Sequence, residues 1–285
     1  MTEIKWNLSF PPSPQQEAVC QAFANPEGHL QIDAKAGSSK TTCLVQGAAN
    51  APEASGLAVA FNKKIQLTLE SVMPDHILAK TMNGLGHGAV AKLLNRRPTL
   101  DQNKMFKLAR DLDEDLTPDQ FSETLALARF ARSAGIVPKN PWPCAKILED
   151  TPENWEEIAD YFDVEFTPAI YGAARSLLRA SIEAVFRDGK IDFDDQIYIS
   201  ALWGAPFKRY PLVMVDEAQD LSPIQHRMLT KSLARGGRLI SVGDPHQAIY
   251  GFRGASAESM GLLARQFPGQ KLPLSVSFRC PQSVV

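Results

Sequence analysis

The chain has 285 residues, 44% of them hydrophobic and 22% charged, which suits one large globular domain with an insertion or two small domains. With 30 Lys and Arg against 32 Asp and Glu, binding of nucleic acid through a broadly basic surface is excluded, so any such contact needs a local patch or stacking groove. The four cysteines lack zinc-ligand spacing. No signal peptide or membrane-spanning run is recognisable, so we expect a soluble, cytoplasmic protein with no membrane partner.

Short apolar runs and helical patterns follow one another along most of the chain. Apolar runs without polar alternation are typical of strands buried on both faces, and strand–helix alternation predicts a parallel α/β sheet. The predicted strands are Leu30–Ala34, Leu57–Phe61, Ile77–Thr81, Leu212–Val215, Leu239–Val242 and Leu272–Phe278. The helical patterns between them are Gln15–Phe23, Lys40–Ala49, Ile65–Val72 and Ile224–Leu233.

The stretch from about Arg97 to Arg187 breaks this rhythm, because it is almost wholly helical in pattern with proline-containing joints. We interpret it as an all-helical subdomain inserted between two strands of the sheet. The predicted organisation is a sheet domain at 1–96 and 188–272, the helical insertion at 97–187, and a link at 273–285.

The residues after the first predicted strand, Ala34–Thr41 (AKAGSSKT), have the strand–loop–helix context of a phosphate-binding loop. Backbone N–H groups and a helix N-terminus surround the phosphates in such loops. Lys40 would contact the β- and γ-phosphates and the Thr41 hydroxyl would hold Mg²⁺. Glycine is usual at Ser39, whose Cβ would crowd a position of positive φ; the alternative is a chance Lys-Thr pair at a helix start. The predicted loop contacts are Ala36, Gly37, Ser38, Ser39, Lys40 and Thr41.

A second motif, Asp216–Asp220 (DEAQD), follows the apolar run Leu212–Val215. Ligands of parallel sheets bind at the carboxyl ends of the strands. Asp216 would hold the metal through water, and Glu217 would orient and activate the attacking water. The alternative is an acidic turn that caps the next helix, with Asp220 or Ser222 as the N-cap.

The stretch Val242–Ala255 (VGDPHQAIYGFRGA) makes the pattern specific. Together with the phosphate loop and DEAQD, it resembles motifs I, II and III of UvrD/Rep-type superfamily 1 DNA helicases. The resemblance runs from about Ser13 to the last residue, and it implies a RecA-like P-loop NTPase motor domain. It further implies that Gln247 senses the γ-phosphate and that Tyr250 and Phe252 stack on bases. Arg253 would pair with an acidic neighbour or contact the site, and core packing is the alternative for the aromatics.

Two further segments resemble strand-binding motifs of the same helicases. Leu57–Lys64 resembles motif Ia, which places Phe61 and Asn62 at a groove that follows the strand. Thr81–Gly86 resembles motif Ib, in which Thr81 and Asn83 touch the DNA backbone, although relatives often have His at the position of Asn83. Ile191–Asp195 resembles their DFDD element, to which we assign only the return of the insertion to the core.

The remaining motifs concern the adenine base. Ser13–Gln16 resembles the upstream glutamine motif, and a Gln amide matches the N6/N7 edge of adenine. We prefer Gln16 over Gln15, and a polar first helical turn is the alternative. Val276–Arg279 resembles motif IV, which implies that Arg279 contacts the γ-phosphate and that Phe278 stacks on adenine in place of the usual Tyr. Thr42 stands near the base where many relatives have Arg, so fewer family residues support adenine selectivity than triphosphate binding.

These implications describe an ATP-dependent, Mg²⁺-requiring DNA helicase or translocase, with 3′ to 5′ polarity by resemblance. Its partner would be single-stranded or partly duplex DNA, with RNA left open. We do not recognise the second RecA-like domain of these helicases, which supplies an arginine across the ATP cleft. We therefore expect this chain alone to bind strands weakly and to unwind nothing. The alternative is a nucleotide- and strand-binding module without useful turnover.

Overall fold

The computed structural model describes residues 4, 11–25, 27–112, 115–247 and 258–277. Its helices, in chain order, are α1 Pro14–Ala24, α2 Lys40–Asn50, α3 Lys63–Val72, α4 Met82–Leu94, α5 Lys104–Asp111, α6 Pro118–Ala134, α7 Pro152–Tyr161, α8 Pro168–Asp188, α9 Phe193–Leu202, α10 Pro223–Ser232 and α11 Ser259–Gln266. Its strands are β1 His29–Ala34, β2 Gly56–Ala60, β3 Ile77–Thr81, β4 Thr99–Leu100, β5 Lys190–Ile191, β6 Tyr210–Val215, β7 Leu233–Gly243 and β8 Gly269–Leu274.

Many of these helices begin at a local signal. A Ser or Thr N-cap is followed by Pro at the first helical position, where the missing N–H costs no hydrogen bond. These pairs are Ser13-Pro14, Thr117-Pro118, Thr151-Pro152, Thr167-Pro168 and Ser222-Pro223. Of the prolines that mark joints in the insertion, Pro118, Pro152 and Pro168 are therefore helix starts, whereas Pro138, Pro141 and Pro143 lie in the segment between α6 and α7.

The large sheet has six parallel strands in the order β3-β2-β6-β7-β1-β8. The predicted parallel α/β sheet is confirmed, and Leu30–Ala34 and Leu212–Val215 lie in the same sheet. The last strand differs from the prediction, because β8 begins at Gly269 and ends at Leu274. Only part of the predicted Leu272–Phe278 is strand, and Phe278 lies outside the described residues.

Each face of the sheet has its own apolar core, because alternate side chains of a strand point to opposite faces. One core packs α1, α2 and α3 against Ala58, Met214 and neighbouring residues. The other begins with Val59 and Val213 and continues into the insertion, where Leu127 and Leu177 are fully buried. The insertion and the sheet therefore share one core. Within the described ranges, no helix has both the length and the apolar content to cross a membrane.

The insertion contains the expected helices, α5 to α8. The small parallel pair β4–β5 closes its base and was not predicted; strands of two residues carry too little pattern to be recognised. The division of the chain at 97 and 187 stays a prediction.

Three helices, α4, α9 and α11, have no counterpart among the helical patterns recognised in the sequence. The glycines of α4 lower its intrinsic helix propensity. Gly86 has a packing role, since a Cβ there would collide with the backbone carbonyl of Gln196 on α9. This close approach fixes α9, and with it the DFDD element, beside the end of β3.

Candidate nucleotide site and the insert cleft

The phosphate loop connects β1 to α2 and is held in place by backbone hydrogen bonds. Lys35 N donates to Leu274 O of β8 at 2.9 Å, and Ser38 N donates to Lys35 O at 3.1 Å. Gly37 and Ser39 both have left-handed backbone, with φ of +74° and +62°. The conflict anticipated at Ser39 is therefore real, because a side chain in this region costs about 1–2 kcal/mol.

The phosphate loop and the acidic strand end meet although β7 lies between their strands. Lys40 Nζ lies 2.7 Å from Glu217 Oε2, and Thr41 Oγ1 donates to Asp216 Oδ2 at 3.2 Å. Burial, reinforced by the charge of Glu217, raises the pKa of Asp216 to about 6, against the opposing charge of Lys40. Glu217 has left-handed backbone with φ +53°, so its side chain turns away from the strand axis toward Lys40.

These residues fit the magnesium nucleotide that the motifs imply. Thr41 and Asp216 offer two oxygen ligands, and Mg²⁺ is usually held by one or two protein oxygens with phosphates and waters. The described residues contain no cluster of three or more His, Cys, Asp or Glu side chains able to hold a metal, which agrees with so sparse a protein shell. Ser38 Oγ is buried without a hydrogen-bond partner, so its hydroxyl could donate to an oxygen of a bound phosphate.

Gln219 is a site residue that the sequence reasoning missed. Its Nε2 donates to Glu217 Oε2 at 2.9 Å, and its Oε1 accepts from Asp244 N at 3.1 Å. Asp244 Oδ2 in turn accepts from Gln247 Nε2 at 2.7 Å. We call this chain from Lys40 through Glu217, Gln219 and Asp244 to Gln247 the Gln219 relay. Gly243 makes room for it, since a Cβ there would lie 2.5 Å from Gln219 Oε1.

The two candidate adenine glutamines occupy different environments. Gln16 is 2% exposed, and its Oε1 accepts from Ser13 N at 2.8 Å in a capping box. Gln15 is half-buried; it donates to Ser275 Oγ at 2.9 Å and accepts from Ser275 N at 2.8 Å. Ser275 follows Leu274, whose carbonyl anchors the phosphate loop. The Gln16 side chain thus caps α1 while Gln15 lies beside the phosphate loop, and which of the two glutamines meets adenine stays a prediction.

Three of the predicted strand-contacting side chains have structural partners. Asn62 Oδ1 accepts from Ile65 N at 2.9 Å and Thr81 Oγ1 accepts from Gly84 N at 3.0 Å, so they cap α3 and α4. Asn83 Nδ2 donates to Phe193 O at 2.7 Å. Contact of these residues with DNA remains a prediction, and it would have to use their remaining hydrogen-bonding groups.

Phe61 follows β2 and lines a cleft of about 920 Å³ between the sheet edge and the insertion. We call it the insert cleft. Its walls come from the ends of β2 and β6, from the start of α4, from α5 and α6 of the insertion, and from α9 and α10. They include Phe61, Asn83, Phe106, Arg129, Phe193, Asp216 and Gln225. Asp216 thus stands between the nucleotide site and this cleft. The predicted site residues Tyr250, Phe252, Arg253, Phe278 and Arg279 lie outside the described residues.

The DFDD element returns the insertion to the core through buried charges. Arg132 of α6 contacts Asp192 at 2.9 Å, Asp194 at 3.0 Å and Asp195 at 3.1 Å, and Lys104 of α5 contacts Asp195 at 2.5 Å. Burial opposes ionisation of Asp192, yet the charges of Arg132 and Lys104 hold its pKa below the ordinary value. Burial raises the pKa of Asp195 in spite of the same two cations.

A histidine fixes α11 against the turn after Glu217. Ser259 Oγ donates to Ala218 O at 2.7 Å, so His226 Nε2, 2.8 Å from Ser259 Oγ, carries the proton of that contact. Burial lowers the pKa of His226 to about 4. A second proton would have to be added at Nδ1 inside the core.

The stability of the fold should therefore fall in mild acid through His226. Because its folded pKa lies below the unfolded value of about 6.5, its contribution is complete above that pH and is lost as the pH falls toward 4. Between about pH 7.5 and about pH 5, the unfolding free energy of wild type should drop by about 2 kcal/mol more than that of His226→Gln. Urea unfolding of both proteins at the two pH values measures this difference, and parallel pH profiles would contradict it.

A parallel sheet with a phosphate loop after β1 and a carboxylate pair after β6 at the same edge defines a RecA-like P-loop domain. The model of the UvrD/REP helicase N-terminal domain matches residues 13–268, and the chain belongs to this family.

The similarity to individual relatives is modest but spans nearly the whole chain. F-box DNA helicase protein 1 of Schizosaccharomyces pombe is 27% identical over 95% of this chain and 31% of its own length. DNA helicase II of Escherichia coli is 25% identical over 93% of this chain and 38% of its own length. The ATP-dependent DNA helicase srs2 of S. pombe is 25% identical over 92% of this chain and 32% of its own length. The chain thus spans about a third of each of these relatives.

Proposed function

We propose that this chain is the nucleotide-binding part of an ATP-dependent DNA helicase or translocase. The observation that carries the proposal is the contact of Lys40 with Glu217 at the sheet edge, where the phosphate loop and the acidic strand end meet. The aromatic side chains of the insert cleft, which opens beside the same edge, support single-stranded or partly duplex DNA as the partner because such rings stack on bases. The names of the relatives point to the same substrate. A second RecA-like domain as partner belongs to this proposal.

The residues divide the work of hydrolysis between them. Lys40 would leave Glu217 to contact the β- and γ-phosphates, while the loop N–H groups from Ala36 to Ser39 surround them. Thr41 and Asp216 would hold Mg²⁺, which when bound supplies positive charge against the phosphate oxygens. Glu217, released from Lys40, would orient the attacking water and accept its proton. Gln247 would report the γ-phosphate through the Gln219 relay.

We propose Gln15 as the residue that meets the adenine base, and its position beside Ser275 supports this choice. An amide donates and accepts at once, so it matches the N6/N7 edge of adenine and mismatches guanine, which has an acceptor in place of the N6 donor. Thr42, at the start of α2, and Phe278 would lie near the same base. Selectivity for adenine therefore depends on fewer groups than binding of the triphosphate.

Titration of the chain with a fluorescent ATP analogue and Mg²⁺ tests the nucleotide site. Lys40→Ala should weaken binding by at least about tenfold, because the half-buried lysine of the phosphate loop is removed and charged hydrogen bonds contribute about 1.5–3 kcal/mol. Lys146→Ala removes an exposed lysine elsewhere, and it should bind like wild type. Gln15→Ala should retain triphosphate affinity and narrow the preference for ATP over GTP. Equal affinity of Lys40→Ala and wild type would refute the site.

Hydrolysis with and without single-stranded DNA distinguishes the two candidate functions. Stimulation by DNA supports a motor part. Nucleotide binding and strand binding without turnover would leave the binding module as the function of this chain.

A further inference from the structure

Two aromatic side chains that line the insert cleft are exposed to solvent, although burial of an apolar ring is favourable. Phe106 of α5 is 48% exposed and Phe193 at the start of α9 is 47% exposed, and both line the cleft together with Phe61. Phe106 packs edge-on against Phe121 at 5.5 Å between ring centroids, which leaves a ring face available. Aromatic rings that stay in water at a cleft are typical of stacking surfaces for bases.

The charges of the cleft restrict what can enter it. Four carboxylates line it, at Asp192, Asp194, Asp216 and Asp220, against the two cations Arg129 and Arg132. Arg132 is already paired with Asp192 and Asp194. A phosphate chain along the cleft would meet an excess of negative charge. A neutral, flat group with hydrogen-bonding edges fits better, and the amides of Gln102 and Gln225 lie on the walls.

We propose that the insert cleft takes one unstacked nucleobase of the bound strand, with Phe106 of the insertion as its stacking partner. Arg129, exposed on α6 at the same cleft, contacts a phosphate that flanks this base. The volume of about 920 Å³ is ample for a base and its sugar. This inference rests on the proposed function, and it adds a strand contact on the insertion to those expected on the sheet edge. The insertion thereby becomes part of the strand-binding site rather than a support for it.

A strand with a single 2-aminopurine tests the stacking partner on the 285-residue chain. Wild type should quench the probe when it lies at the position that enters the cleft, which a scan of probe positions identifies. Phe106→Ala should lose this quenching and bind the strand about 5- to 150-fold more weakly, the range for loss of one stacked base. Phe106→Leu keeps the apolar volume without the ring, and it should lose the quenching too. Tyr161→Ala removes an aromatic of the insertion that is 57% exposed and does not line the cleft, and it should behave like wild type.

An abasic site at the same position separates base stacking from a change of fold. It should weaken binding to wild type and leave binding to Phe106→Ala unchanged, because the two changes remove the same contact. Arg129→Gln should lower the slope of log affinity against log salt by about 1, whereas Phe106→Ala should leave the slope unchanged. Arg179→Gln, an exposed arginine of α8, is the control for charge.

The outcomes also separate this inference from the proposed function. If wild type binds the strand and Phe61→Ala weakens binding while Phe106→Ala and Phe106→Leu match wild type, the inference is overturned and the proposed function stands. Additive effects of the abasic site and Phe106→Ala overturn it as well. A wild-type chain that binds no strand overturns both.

Discussion

Glu217→Gln is expected to bind ATP at least as tightly as wild type and to lose hydrolysis by about 10²–10⁴-fold, the usual contribution of a positioned base. The amide keeps the size of the side chain and still accepts from Lys40 Nζ, now 2.7 Å from Glu217 Oε2, and from Gln219 Nε2 at 2.9 Å. It cannot accept the proton of water. The Lys40 contact, which has to open before phosphates bind, is also weaker without the carboxylate charge.

Single-turnover hydrolysis with Mg²⁺ measures the expected loss of rate. Titration with a fluorescent ATP analogue and Mg²⁺ measures the expected retention of affinity. Glu149→Gln changes an exposed acid that also pairs with a lysine, Lys146 at 3.0 Å, and should match wild type in both measurements. Undiminished hydrolysis by Glu217→Gln would show that another residue acts as the general base.

Arg132→Met should be the most destabilising single change in the insertion. The substitution leaves Asp192 and Asp195 buried with Lys104 as their remaining cation. Removing one partner of a buried ionic network costs about 3–5 kcal/mol, a large share of the 5–15 kcal/mol of a typical domain. Because Asp192 also caps α9, the loss should extend to α9 and the floor of the insert cleft.

Urea unfolding gives the total loss, and amide exchange in α6 and α9 locates it. Arg179→Met breaks an exposed pair with Glu183 at 3.4 Å, so it should change stability by less than about 1 kcal/mol. If both variants unfold alike, the buried network contributes nothing beyond a surface pair.

Local patterns were sufficient to predict the sheet and the meeting of two motifs at its edge. Apolar runs located β1, β2, β6 and β7 because strands buried on both faces need continuous apolar sequence. A short apolar run also located β3, although Leu78 of this edge strand is exposed. Lys40, Thr41, Asp216 and Glu217 could be predicted because each motif lies within a few residues, and the parallel sheet brings their strand ends together.

Contacts between distant segments could not be predicted in the same way. Arg132 meets Asp192 across 60 residues, and neither residue alone distinguishes a buried network from solvated charges. Gln219 lies inside a recognised motif, yet its partner Asp244 is set by the neighbouring strand β7. The different environments of Gln15 and Gln16 could not be predicted either, because the hydrogen bond of Gln16 to the N-terminus of α1 depends on backbone geometry that two adjacent glutamines do not reveal.

The Gln219 relay has a thermodynamic consequence for the two ligands. It includes Gln247, which precedes Tyr250 and Phe252 in the same motif. If the hydrogen bonds of the relay rearrange when Lys40 contacts a bound phosphate, nucleotide binding changes the affinity for the strand by some factor. Linkage then requires that strand binding changes the affinity for the nucleotide by the same factor. Gln219→Leu removes the amide that donates and accepts in the relay. In this variant the factor should approach one, both for the effect of nucleotide on strand affinity and for the effect of strand on nucleotide affinity. Strand affinity with and without nucleotide, and nucleotide affinity with and without strand, then close a cycle whose two measured factors must agree.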